Sequence, residues 1–326
     1  MPAAQKCTAG DVLDNIKHSN SLWIAGDEMK KTAYFAFALL GVTWGSNFIF
    51  MKWAADDISP SQIVLLRVVF GFLPIFFFAL VKPTLRLEHV RYVHHFVVMS
   101  FLATAVYYLA FAKGTALLPS SIAGLLSGAI PLFTFICAWL FLREEHINIT
   151  KGAGVALGFL GVLLIARPWS SLGAIDVSGV IYMMVGSMSV GCSFVYARRF
   201  ISPLKLPAVA LTTYQIGLAM IFLFMATSLD GMGAVFNDTR AWTGLVFGLG
   251  LLGTGLAYVI YYYIVENLGA VAAAGVTYIP PVVALVIGVF LAGDMIHPLG
   301  YLATVFILSG VALLQYGGRR ELVSKG

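Results

Sequence analysis

Arg67 stands inside the run IVLLRVVFGFLPIFFFALV (63–81), seven residues after Pro60. On a helix rising 1.5 Å per residue that is ~10 Å from the end of the segment. An arginine near a bilayer centre costs ~2.5–3.5 kcal/mol on insertion scales. Its planar fork matches a carboxylate or phosphate with two parallel hydrogen bonds. Two uses fit it: receiving an anionic group, or bending outward to headgroups and pairing with Asp56 or Asp57. The stretch TWGSNFIFMKW (43–53) raises the same question. Trp44, Asn47 and Met51 recur at helical spacing and share one face. Trp44 and Asn47 there either line a cavity or hold one helix to another. Lys52 is expected to extend to the nearest interface.

A further aromatic and polar set is spread along the chain: Tyr107 and Tyr108, Tyr214 and Gln215, Tyr258, and Thr277 with Tyr278. Apolar walls with a few placed polar groups are the composition of small-molecule pockets. The candidate substrate-binding residues are therefore Trp44, Asn47, Arg67, Tyr108, Tyr214, Tyr258 and Tyr278. Pro131, Pro280 and Pro281 fall mid-segment, where each removes a helix N–H and displaces the carbonyl four residues back. Breaks at equivalent places in two halves point to a transport site. No Asp or Glu lies in the middle of an apolar run, which argues against a proton-coupled cation exporter; Glu266 sits near the end of one. There is no HExxH, GxSxG, phosphate loop or cluster with metal-ligand spacing, so neither a membrane enzyme nor a cofactor or metal is indicated.

These residues need elements that cross a membrane. Of the 326 residues 60% are hydrophobic and 11% charged, against roughly 25% charged in soluble domains. Apolar runs of about 20 residues, the length that spans ~30 Å of hydrocarbon, recur along the chain. They predict ten transmembrane helices near 33–53, 61–81, 96–113, 118–142, 151–167, 177–198, 207–228, 242–264, 270–292 and 298–316, an all-α integral membrane protein. The formal charge of +5 does not indicate nucleic acid, because the basic residues lie at segment ends. Fifteen of the twenty Lys and Arg fall in the tails and even-numbered loops, so both termini are expected in the cytoplasm. Cys7, Cys137 and Cys192 show no pairing pattern and are expected to be free thiols. Residues 1–28 read as a polar tail ahead of a natural start at Met29.

The halves repeat. At an offset of 150, FLATAVYYLAF (101–111) lies over LLGTGLAYVIY (251–261), placing Thr104 on Thr254 and Tyr108 on Tyr258. The same offset brings Pro131 onto Pro281 and Glu144 onto Asp294. WGSNFIFMKW (44–53) lies over VGCSFVYARR (190–199). Five spans per half invert the second half relative to the first, a construction of secondary transporters that puts the site at the repeat interface.

WGSNFIFMK, the Pro60 to Arg67 spacing, ALLPSSIAGLLSGAIPLF with LFLREE, and NLGAVAAAGVTYIPPVVALVIGVFLAGD together resemble the EamA family of the drug/metabolite transporter superfamily. The resemblance covers residues 32–316 and is specific for the superfamily but not for a substrate. It implies a ten-helix fold of two EamA units and export of small metabolites or amino acids. That family often ends its fourth span with Gly-Glu, where this chain has Arg143-Glu144.

The expected organisation is a cytoplasmic tail (1–31), two five-helix repeats (32–168 and 177–316) and a second tail (317–326) in a cytoplasmic membrane. The expected partners are a small-molecule substrate and the lipid bilayer, with no nucleic acid and a homodimer left open. The expected function is alternating-access transport of an amino acid or related compound. A multidrug or organic-cation exporter and a non-transporting scaffold are the alternatives.

Overall fold

The computed structural model describes residues 9–142, 148–167, 175–268 and 275–324, with side chains for all of these except 9–30, 262, 265–268 and 317–324. Arg143, Glu144 and the Glu266 side chain lie outside that description. The regular structure of the described residues is all helical, with no strand among them. Among the described residues nine helices are long and apolar enough to cross a membrane, and a shorter apolar one is the tenth. They are α1 (Ala9–Ala55), α2 (Pro60–Val81), α3 (Leu87–Leu117), α4 (Ser120–Phe141), α5 (Ile149–Ala166), α6 (Val177–Leu204), α7 (Ala208–Ala226), α8 (Thr239–Tyr261, continuing to Leu268), α9 (Gly275–Phe290) and α10 (Pro298–Ser324). Large side chains on the perimeter stay uncovered, Phe77 at 69%, Met225 at 80% and Phe290 at 81%. In water such a surface would aggregate; in lipid it is the solvated face.

Local chemistry sets the ends. Ser59 and Gln62 form a reciprocal capping box at the start of α2, with Pro60 in the first turn, where no backbone N–H is needed. Asn148, Asp176 and Asp238 cap α5, α6 and α8 with side-chain oxygens. Lys52 reaches the end of α3. Its ammonium donates to the Ala116 carbonyl at 3.0 Å, because the last carbonyls of a helix lack partners and carry the negative end of its dipole. Cys137 and Cys192 are free thiols whose sulfurs meet 3.1 Å apart between α4 and α6.

The packing repeats the sequence symmetry. Helix α2 lies against α8, and α7 against α3. Helix α1 packs on α8 and α9, and α6 on α3 and α4. The pairs α4–α9, α5–α10 and α2–α7 map onto themselves. Each of these contacts between the halves therefore has its mirror image, and the core is built across the repeats.

Both halves also break at equivalent places. In α4 a 3-10 turn, Ser127–Ala129, precedes the segment Ile130–Phe141. In α9 a 3-10 turn, Gly275–Tyr278, precedes Ile279–Phe290. Pro131, Pro280 and Pro281 sit in the first turn of the helical segment that follows the 3-10 turn, at the equivalent breaks expected in the two halves. The chain has already stepped out of the α ladder, so proline deletes no bond there.

Asp294 joins the halves at one face. Its carboxylate accepts from the Ser120 hydroxyl at 3.0 Å, the Ser121 amide at 2.9 Å and the Ser121 hydroxyl at 2.7 Å. Hydrogen bonds to a charged group contribute ~1.5–3 kcal/mol each before any compensation by water. Asp294→Ala is expected to lower the unfolding temperature in detergent by on the order of 5 °C, and Asp294→Asn, which keeps an acceptor, by less. Equal melting of both variants and the parent would show that Asp294 pins nothing.

Candidate functional site

Four helices from both repeats converge on Arg67. The side chain is 5% exposed. Its Nε donates to the Thr254 hydroxyl on α8 at 2.9 Å. Its guanidinium carbon lies 3.9 Å from the centre of the Tyr108 ring on α3. The Asn47 amide on α1, oriented by its neighbours, accepts from Nη2 at 3.1 Å and donates to the Thr43 carbonyl at 3.2 Å. The opposite orientation would set oxygen against acceptors and nitrogen against donors.

The sequence explains why these groups meet. The stretch Gly244–Leu256 of α8 winds as a π-helix, and the Thr254 hydroxyl bonds back to the Leu249 carbonyl five residues earlier, at 2.9 Å. Its lone pair then faces α2. A β-carbon on Gly71, one turn past Arg67, would come within 2.6 Å of the Thr254 β-carbon. Glycine thus sets the approach of α2 to α8. Gly253 does the same for α1: any side chain there would occupy the space of the Asn47 amide. Thr254 and Gly253 carry no sequence signal as site residues beyond the match of Thr254 to Thr104.

Magnitudes decide what this cluster does with a cation. Bonds to a charged donor contribute ~1.5–3 kcal/mol each, and a desolvated cation–π contact ~2 kcal/mol. Together they offset the insertion cost of ~2.5–3.5 kcal/mol. Among the described residues Arg67 has no counter-ion; its partners there are all neutral and leave its charge uncancelled. It neither bends to headgroups nor pairs with Asp56 or Asp57, as one expectation had it. Of the five guanidinium N–H groups, Thr254 and Asn47 engage one each. Two donors on Nη1 and one on Nη2 remain for a carboxylate.

The other sequence candidates lie elsewhere. Trp44 packs against Tyr261, centroids 6.1 Å apart, in a cluster with Leu40, Ala257, Ile264 and Val276. Tyr214 joins its hydroxyl to the Arg86 backbone, at 3.2 and 3.3 Å, and to the His89 ring at 3.2 Å. Its ring stacks on Phe96. It thereby seats α7 against the α2–α3 connection rather than joining the Arg67 cluster. Tyr278 is half-buried against the main core. Tyr258, one turn past Thr254, is half-buried against the main core.

Residues 31–167 and again 177–316 match the EamA-like transporter family. The chain is a member of that family. Among relatives of this EamA protein, an uncharacterized transporter YdfC of Bacillus subtilis (strain 168) is 27% identical over 273 residues, 82% of this chain and 86% of its own. A probable amino-acid metabolite efflux pump of Escherichia coli (strain K12) is 25% identical over 297 residues, 88% of this chain and 96% of its own. A solved crystal structure covers 89% of this chain and 98% of its own with a TM-score of 0.60 at 20% identity, a likeness of fold alone. The protein is therefore a multi-pass membrane transporter of two EamA repeats, and family and relatives point away from an enzyme.

Proposed function

We propose that this EamA protein exports a small metabolite bearing a carboxylate or similar anion, an amino acid or related compound, by alternating access. The observation that carries the reading is Arg67: a cation buried at the repeat interface, fixed by neutral groups, with donors on Nη1 and Nη2 still unengaged. A carboxylate arriving at ~4 Å gains on the order of 4 kcal/mol at an effective dielectric of 20, more than any neutral group offers. The name of the Escherichia coli relative, a probable amino-acid metabolite efflux pump, supports the same class. An organic-cation exporter fits less well, since the same charge repels its substrate.

The basic residues at the predicted loops support an orientation with both termini in the cytoplasm. In that orientation α2 and α8 begin at the outer face, and α3 and α7 at the inner. With no phosphate loop in the sequence, transport runs on a gradient, by exchange or downhill.

The test is counterflow in proteoliposomes with labelled amino acids, other organic acids and cationic dyes. Saturable exchange confined to compounds with a carboxylate is expected. Exchange of the dyes alone, or of nothing, would contradict the reading.

A further inference from the structure

A second polar pair crosses the repeats. The Gln215 amide on α7 donates to the Thr104 hydroxyl on α3 at 2.9 Å. Gln215 is 5% exposed and Thr104 fully buried. The helices are the mirror images of α2 and α8. Thr104 lies in the π-helical stretch Phe101–Ala105, as Thr254 does in Gly244–Leu256. It is also the residue that the repeat places on Thr254. Arg67 comes seven residues after Pro60 and Gln215 eight after Pro207. Since the repeats are inverted, each long side chain sits ~10–12 Å in from its own face. In ~30 Å of hydrocarbon the two pairs are roughly 8 Å apart in depth on either side of the midplane, the size of a small metabolite.

One helix links them. Tyr108, under the Arg67 guanidinium, is one turn past Thr104 and on the same face of α3. Movement of α3 that parts Thr104 from Gln215 therefore also moves the seat of Arg67.

We infer that Gln215 and Thr104 form the inner gate clasp of the transporter, the counterpart of an outer clasp made by Arg67 and Thr254. This rests on the alternating-access reading above. Both clasps are closed in this structure. They differ in charge. A substrate anion competes for Arg67 and loosens the outer clasp. The inner clasp is neutral and yields to water or to any hydrogen-bonding group. Gln215 and Thr104 are thus positioning residues: they set how often the inner face opens, not which charge is accepted.

The clasps can be read without a substrate. Spin labels at Ser61 and Arg240 report the outer ends of α2 and α8; labels at Glu88 and Lys205 report the inner ends of α3 and of the connection into α7. Both pairs are placed in a chain whose cysteines are replaced, and distances are measured by pulsed electron resonance in lipid nanodiscs. Thr104→Val keeps the side-chain volume and deletes the acceptor. It is expected to raise the long-distance population of the inner pair about two- to tenfold, the equivalent of one net hydrogen bond, and to shift the outer pair less. Thr254→Val is expected to do the reverse. Gln215→Leu repeats the inner effect from the other side and decides the matter if Thr104→Val does not fold. Inner distances that stay fixed, or that shift no more than the outer ones, overturn the clasp. Because no transport is measured, that failure is distinct from failure of the counterflow panel.

Discussion

Arg67→Ala is expected to abolish transport, with a loss of ~10²–10³-fold in kcat/KM, while the protein still folds and reaches the membrane. The two halves of that expectation have separate causes. Removing one partner of a desolvated, hydrogen-bonded charge pair costs ~2–5 kcal/mol, and in this account the pair is Arg67 with the substrate's anion. Folding is spared because the truncation strands no charge. Thr254 keeps its bond to the Leu249 carbonyl, and Asn47 keeps the Thr43 carbonyl. Arg67→Lys retains the charge but has no Nε to reach Thr254 and no planar fork to lie on Tyr108 or grip a carboxylate. It is expected to lose at least ~10-fold. Normal expression with unchanged transport in both variants would remove Arg67 from the mechanism.

Gly253→Ala carries the second large effect. Its β-carbon would take the place of the Asn47 amide and press on the Gly248 carbonyl at 2.7 Å. Overpacking of this kind costs ~1–3 kcal/mol. Here it also expels the group that orients Nη2 of Arg67, so a transport loss of ~10-fold or more is expected together with a lower melting temperature. Adding Asn47→Ala opens the space again. The double variant is expected to recover part of the stability, limited by the Gly248 carbonyl, and none of the transport. Recovery of both would mean that Asn47 only fills volume. The measurements are thermal unfolding in detergent and counterflow with the exchanging compound from the panel.

What could be read beforehand follows from how strongly each residue conflicts with its surroundings. Asn47, Arg67 and Tyr108 stand out because polar groups in an apolar run need partners within the protein, and the structure brings these three together. Thr254 does not stand out. Threonine satisfies its own hydroxyl on a helix carbonyl, so a lone one in a membrane segment signals nothing. Only its repeat match to Thr104 marked it. Gln215 was visible beside Tyr214, but the π-helical turns that aim Thr104 and Thr254 at α7 and α2 arise from packing between helices and leave no periodic trace. Tyr214 and Trp44 were read by type alone, and aromatic side chains serve helix seating as readily as a pocket. The ten-span, two-repeat architecture was legible because hydrocarbon length and an odd span count per half leave few alternatives.

The most direct measurement compares an exchanging acid with its neutral carboxamide as ligands in a thermal-shift titration, on the parent protein and on Arg67→Ala. The account predicts that the acid stabilises the parent at ~10²-fold lower concentration than the amide, and that this preference collapses toward unity in the variant. An acid–amide preference that persists undiminished without Arg67 would contradict it.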